Sequence, residues 1–321
     1  MRILVTGGAG FIGSNLVRRV VKDGALDVDV VDDLSSGQIS FLPSAVLDSD
    51  SFFVSDFAAP AVIDAVSSGR YDAIVHLAAQ PRVSYSVEKP YETYQNNVAS
   101  TLKLIEASRG HTKRFVFAST CAVYGDTSSL PTHESAPKNY RSPYAMQKLM
   151  VEDCLRLYNN LYGFDSVCLR FFNVFGPNQL GDSPYSTSVS AWIYAILRGS
   201  SMRSDGDGSQ SRDMCHVDNV VDACIKAVVS PNHFRGEAFN IACGQSVTNS
   251  EILRALLKQF PQAKYHSAPW RPGDIMHTLA DISAAKERLD YAPSVMFWEG
   301  LESTIRWYQD NWERIESMKS E

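Results

Sequence analysis

Through its first 180 residues the chain alternates short strand-like runs with helix-length amphipathic stretches, and that alternation limits the folds open to it. The runs are Ile3–Thr6, Val28–Asp32, Phe52–Ser55, Ala73–Leu77, Phe115–Ser119 and Ser166–Phe171. Between them lie helical candidates at Phe11–Lys22, Pro60–Ser67, Tyr91–Ser108 and Tyr144–Tyr162. Successive strands joined through helices run parallel, and the helices then cover both faces of one sheet. After residue 180 the order loosens, with helical candidates at Ser188–Leu197, Val217–Val229, Asn249–Gln259 and Phe297–Lys319 separated by Gly/Pro-rich connections. No repeat, low-complexity tract or composition shift marks a free linker. The expectation is an α/β chain: a doubly wound parallel sheet in residues 1–180, to which later segments return, with 181–321 mainly a smaller C-terminal lobe packed on it.

Composition narrows the class. The 321 residues are 45% hydrophobic and 21% charged, as in ordinary globular proteins. A net charge of −6 argues against a general nucleic-acid surface. No apolar run reaches the roughly 20 residues that span a bilayer, and Ile3–Val5 runs straight into glycines rather than into a secretory signal. The six cysteines, at 121, 154, 168, 215, 224 and 243, form no CxxC pair, and the seven histidines form no HxxxH or HExxH pattern. Reduced core thiols, no metal site, no membrane and a cytoplasmic location are the expectations.

The first strand ends in Thr6-Gly7-Gly8-Ala9-Gly10-Phe11-Ile12-Gly13 and opens a helix. Glycines in that context allow a tight turn, close backbone approach to a pyrophosphate and helix-strand packing, with phosphates at the helix N-terminus. The spacing is GxxGxxG rather than GxGxxG. Asp32 supports it by ending the second strand about 20 residues on, where a carboxylate can bind ribose hydroxyls. A 2′-phosphate would be repelled there, which favours NAD over NADP. The sheet is therefore read as a Rossmann-type nucleotide-binding fold.

Tyr144 and Lys148 stand four apart on a predicted helix, so they share a face about one turn apart. An ammonium so placed can draw a phenol's pKa from about 10 toward neutrality, and the phenolate can then take a proton from an alcohol. Thr120, at the end of the fifth strand, offers a hydroxyl to relay to the same oxygen. Such a set suits hydride chemistry at a carbinol carbon. An incidental Tyr and Lys on a solvated helix face is the bland alternative, and the glycine turn counts against it.

With these motifs the chain resembles the extended short-chain dehydrogenase/reductases, and within them the UDP-sugar 4-epimerases, most closely the bacterial UDP-N-acetylglucosamine and UDP-glucose 4-epimerases. The resemblance runs from the glycine turn through His76–Gln80, Asn96-Asn97, Val123–Asp126, Tyr144–Lys148 and Arg170–Pro177 into Asp205–Asp213 and Arg271–Asp281. It implies Tyr144 as acid/base on the sugar 4-hydroxyl, Lys148 tuning it and binding the nicotinamide ribose, and Thr120 on the same hydroxyl. It implies NAD held by Gly7, Gly10, Phe11 and Ile12, with Asp32, Asp33, Ser35, Ser36 and Gly37 at the adenosine ribose and Asp56 and Phe57 at adenine. Leu77, Ala78, Ala79, Asn97, Ser119 and Phe172 would line the rest of the cofactor channel. Asn173, Arg212, Arg271 and Asp274 would grip UDP, with Ser188 also on the substrate. An ion pair of Arg212 with Asp213, or of Arg271 with Asp274, is the structural alternative.

Sibling 4,6-dehydratases and decarboxylases carry acidic residues after the strand-five Thr, to eliminate water or help a carboxylate depart. Here Cys121-Ala122 follows Thr120, which points to a UDP-hexose 4-epimerase. A uronic acid 4-epimerase, or a UDP-uronate decarboxylase or dehydratase, is the alternative. The identity of the hexose stays open. Thr278 stands where a small residue admits N-acetyl sugars. Cys121 and Ala122 supply no hydroxyls for an acetamido group, and Arg82 could neutralise a uronic carboxylate or simply be a solvated loop residue. The resemblance also implies a homodimer through Tyr91–Ser108 and Tyr144–Tyr162.

Overall fold

The computed structural model describes residues 1–127, 129–183, 186–270 and 275–318. Strands β1 (Arg2–Thr6), β2 (Asp27–Asp32), β3 (Phe52–Val54), β4 (Ala73–His76), β5 (Arg114–Thr120) and β6 (Ser166–Phe171) join a seventh, Glu237–Ile241, in one sheet. Its order is seventh-β6-β5-β4-β1-β2-β3, and every pairing is parallel. Chain direction across the sheet reverses between β1 and β4, which opens a crevice at their carboxyl ends. This is a Rossmann-type doubly wound sheet.

Both faces are buried, as parallel sheets require. Ile3, Val5, Val30, Val75 and Val116 pack on one side with Leu16, Val17 and Val20 of helix Phe11–Asp23 and Val220, Val221 and Cys224 of helix Val217–Val229. Leu4, Val31, Ile74, Phe115 and Phe117 alternate to the other side, against helices Pro60–Ser67, Thr101–Ser108 and Pro143–Tyr162. A third cluster gathers Ile193, Ile252, Leu256, Phe297, Leu301 and Ile305 from helices Ser188–Leu197, Asn249–Gln259 and Phe297–Asp310. It forms the core of the smaller lobe.

Three features differ from the sequence reading. The stretch read as one helix, Tyr91–Ser108, is an α-turn at Pro90–Tyr94, a π-helix at Gln95–Ser100 and an α-helix at Thr101–Ser108. The widened turn carries Asn97, whose amide Oδ1 accepts from Gln80 N at 2.7 Å and whose Nδ2 donates to Gln147 Oε1 at 2.8 Å. Glu237–Ile241 escapes the sequence pattern as a strand because its apolar run is short and broken by the polar Asn240, its fourth residue. Its side chain is buried by bonding Tyr124, Thr132 and Asp281. Finally, the last helix stops at Asp310 and resumes at Trp312–Ser317, with Asn311 turned back onto the Trp307 carbonyl. Lys319 lies outside the described residues.

Candidate active site

Tyr144 enters the helix Pro143–Tyr162 at its second residue. The start is written locally: Ser142 accepts from Ala145 N at 3.2 Å and Pro143 sits in the first turn, where its missing N–H costs nothing. Ser86, on the short helix Val83–Glu88, accepts from Tyr144 N at 3.1 Å. Gln147 reaches the Thr93 hydroxyl at 2.9 Å. The helix is thereby pinned on three sides. Lys148 is 3% exposed, donates to the Ala118 carbonyl at 2.8 Å and lies 5.9 Å from the Tyr144 ring centre. Thr120, the last residue of β5, hydrogen-bonds Tyr144 and also accepts from Ala122 N at 3.1 Å.

A second group assembles beside the first. Asn173 Nδ2 donates to the Thr278 hydroxyl at 3.3 Å, and the same hydroxyl accepts from Asp213 N at 3.1 Å. Arg212, on the strand Ser211–Asp213, donates to the Ser211 and Met276 carbonyls. Asp213 is buried and accepts from Cys243 N, Gly244 N and Ala280 N at 2.9 to 3.1 Å, so backbone amides hold its carboxylate. The half-buried Cys121 joins the two groups. Its thiol lies near Tyr144 and within the fields of Arg212 and Asp213, and it accepts from the Asn173 backbone. Arg271 and Asp274 lie outside the described residues. Ser188 opens the helix Ser188–Leu197, half-buried.

At the crevice, Gly7 takes φ +69°, and a Cβ there would stand 2.7 Å from Ala78 N. A Cβ on Gly13 would lie 2.1 Å from the Gly7 carbonyl, so the turn closes only on glycine. Asp32 is 7% exposed and accepts from Ala9 N and Leu34 N, each at 2.9 Å, bracing the glycine turn. Gly37 packs on it, and the exposed Asp33 turns its carboxylate to Ser35. Ser36 is exposed beside it. Asp56 closes a turn by accepting from Ala58 N at 2.7 Å, while the Phe57 ring packs edge-on to His76. Leu77, Ala78 and Ala79 continue β4 half-buried, and Phe172 is buried beside Tyr124. Ser119 gives its hydroxyl to Glu152. Arg82 precedes the helix Val83–Glu88 and bonds Ser84 at 3.1 Å.

The sequence profile of the NAD dependent epimerase/dehydratase family matches residues 3–242. The chain is 36% identical to the UDP-glucose 4-epimerase of Mycolicibacterium smegmatis, over 97% of this chain and 99% of that relative. The chain belongs to the NAD dependent epimerase/dehydratase family. Among solved structures, the UDP-N-acetylglucosamine 4-epimerase of Methanobrevibacter ruminantium M1, in complex with UDP-N-acetylmuramic acid, superposes with a TM-score of 0.89 at 34% identity. The match covers 97% of this chain and 98% of that one. The UDP-glucose 4-epimerase of Thermotoga maritima, with UDP-glucose, gives a TM-score of 0.90 at 32% identity over 97% and 100% of the two chains.

The crevice of this epimerase/dehydratase fits NAD, the family's cofactor. Helix Phe11–Asp23 begins at Gly10 with no side-chain cap and no acid in its first turn, which leaves its first amides for a pyrophosphate. Burial governs the electrostatics of Tyr144 and Lys148. It drives the Tyr144 phenol above its ordinary range, with the Thr120 hydrogen bond the influence that lowers it, so the phenol is not drawn toward neutrality as the sequence suggested. Burial also pulls Lys148 down to about 7, against the attraction of its neighbours Cys168 and Glu152. Burial pushes the Cys121 thiol up to about 12, which leaves no thiolate for nucleophilic attack. Sequence reasoning missed Ser86, Gln147, Glu152 and Asp213, because their partners lie far away along the chain. No group of three or more metal-ligating side chains occurs among the described residues, nor a helix long and apolar enough to cross a membrane.

Proposed function

We propose that the protein is a UDP-hexose 4-epimerase working through a 4-keto sugar with retained NAD. The observation that carries this reading is the junction at Cys121. The Tyr144–Thr120 pair stands there beside the Asn173–Thr278–Arg212 group, and no carboxylate follows Thr120. NAD, which the glycine turn at residues 7–13 would hold, would supply a reversible hydride acceptor for C4 of the sugar. Ionised by the Thr120 hydrogen bond and the Lys148 ammonium 5.9 Å from its ring centre, Tyr144 would take the 4-hydroxyl proton while Thr120 holds the same oxygen. Arg212 and Arg271 would each offer forked, charge-assisted bonds to the diphosphate, with Asn173, Ser188 and Asp274 completing the grip. With UDP anchored and the hexose loosely held, the keto sugar turns about its link to the diphosphate. Its other face would then be turned to the nicotinamide side of the crevice, and Tyr144 would give its proton back to the 4-oxygen.

Thr278 is small and its hydroxyl is engaged by Asp213 N and Asn173, which supports an N-acetyl hexose as substrate. A uronic substrate is the second reading, supported by Arg82 just before the helix whose Ser86 holds Tyr144. Residues 1–180 would form the NAD-binding part and 181–321 most of the UDP-sugar lobe. For assembly we infer a homodimer. Met150, Leu157 and Leu161 are exposed on the outer face of helix Pro143–Tyr162, with Cys154 between them at helical spacing.

The test is NMR product analysis of purified protein, with no NAD added, on UDP-glucose, UDP-N-acetylglucosamine and UDP-glucuronic acid separately. A C4 epimer is expected, and the fastest substrate assigns the roles of Thr278 and Arg82. No epimer in any tube, even with NAD supplied, would overturn the reading. A 4-keto-6-deoxy or decarboxylated product would move it to the dehydratases or decarboxylases.

A further inference from the structure

The helix that carries Tyr144 and Lys148 presents a third inward group. Glu152 lies one turn beyond Lys148, so the three side chains share one face. It is fully buried, where a carboxylate persists only if paired. Arg170 of β6 forks it, Nε at 2.9 Å from Oε1 and Nη2 at 2.6 Å from Oε2, and Oε1 also accepts the Ser119 hydroxyl at 2.5 Å. Three successive residues of β5 are thus held by successive turns of the helix: Ala118 by Lys148, Ser119 by Glu152 and Thr120 by Tyr144. Arg170 extends the hold to the turn after Thr120, donating to the Tyr124 hydroxyl at 2.9 Å, which in turn donates to Asn240 Oδ1 at 2.6 Å.

We propose that Glu152 is a positioning residue for this site: it fixes the end of β5 against the helix that carries Tyr144 and, one turn from Lys148, is the buried anion that favours the lysine's ammonium. The proposal rests on the roles given to Tyr144 and Lys148 above. The groups facing Lys148 are Tyr144 and Glu152 from its own helix, Cys168 from β6, His76 from β4 and the Phe117 ring from β5. His76 is held neutral by burial between the hydroxyls of Thr6 and Thr101, and burial keeps the Cys168 thiol protonated. Glu152 is the anion of the set. Arg170 offsets part of its field, and the one-turn spacing from Lys148 leaves the remainder directed at the ammonium.

The test follows Lys148 directly, by NMR titration of protein labelled at the lysine ε-carbon, the resonance being assigned with Lys148→Arg. In Glu152→Gln the Lys148 midpoint is expected to fall by on the order of one pH unit. The alkaline limb of kcat should move with it, while KM for the UDP-sugar stays unchanged. Because Glu152→Gln leaves Arg170 without its counter-charge, the double variant E152Q/R170Q is made alongside, with a smaller fall expected because a buried cation leaves together with the anion. A midpoint that does not fall in folded Glu152→Gln, or that falls as far in the double variant as in the single, overturns the charge role. Ser119→Ala keeps the ion pair and cuts only the link to β5; kcat should drop about tenfold with the Lys148 midpoint unmoved. Unchanged kcat overturns the positioning role. The titration is read without sugar, so wild-type protein that epimerises nothing defeats the functional reading while the Glu152 claim is still decided.

Discussion

Tyr144 is half-buried, and its phenol is held up by burial, so its use as a base depends on the hydrogen bond from Thr120 and on the charge of Lys148. Tyr144→Phe keeps the ring and removes the proton carrier. A loss of 10²- to 10⁴-fold in kcat, about the worth of one acid/base group, is expected with bound NAD retained. Full activity in that variant would remove tyrosine from the mechanism. His76 makes a separate prediction, about stability. Its folded pKa is pulled down to about 3 by burial, against about 6.5 in an unfolded chain. Between those values the unfolded state binds the extra proton, so stability contributed by neutral His76 is present above about pH 6.5 and is lost as pH falls toward 3. The stability gap between wild type and His76→Asn should therefore narrow on acidification from pH 6.5 to 4, by about 1.4 kcal/mol per unit. Denaturant melts at several pH values measure it, and a constant gap would sink the argument.

At the scale of elements, two connections decide whether the site exists. The glycine turn between β1 and the first helix admits no side chain at position 13, where a Cβ would lie 2.1 Å from the Gly7 carbonyl. Gly13→Ala should yield protein that releases no NAD on denaturation, whereas wild type releases it near one per chain. Asp213 clips strand Ser211–Asp213 to two loops through three backbone amides. Asp213→Asn turns a donor toward donors and should cost about 1–3 kcal/mol. It should raise KM for the UDP-sugar more than it lowers kcat, because Arg212 rides on that strand; an unchanged KM would separate the strand from UDP binding. The turn was legible in the sequence because its glycines are adjacent and physically obligatory. The alternation that builds β1 to β6 was legible because each strand is a short apolar run, and Tyr144 and Lys148 because four residues make one helical turn. The clip, the Glu152–Arg170 pair and the seventh strand were not. Asp213 meets Ala280, Glu152 meets Arg170 and Asn240 meets Tyr124 only once the chain has folded, and each is a polar residue buried by such a contact.

At the scale of the whole molecule, an apolar stripe on the longest helix among the described residues has no internal reason. On helix Pro143–Tyr162, Val151 and Leu155 are spent on the sheet, yet Met150, Leu157 and Leu161 point outward and stay 37%, 51% and 60% exposed. Their spacing, with Cys154 between, repeats every three to four residues, the pattern of a helix seam. Helix Thr101–Ser108 lies alongside, joined by the Tyr158 hydroxyl on Glu106 at 2.8 Å, so two helices from each chain would meet across a two-fold axis. The face lies behind Tyr144 and Lys148, on the same helix but the opposite side, so pairing would stiffen the helix that carries the chemistry without blocking the crevice. Leu157→Glu with Leu161→Glu places carboxylates on the seam and should convert a two-chain particle to one chain in light scattering. NAD content should persist and kcat should fall less than tenfold, since no group at the crevice is touched. Wild type that scatters as a single chain, or a double variant that remains paired, would show that the stripe is not the dimer seam.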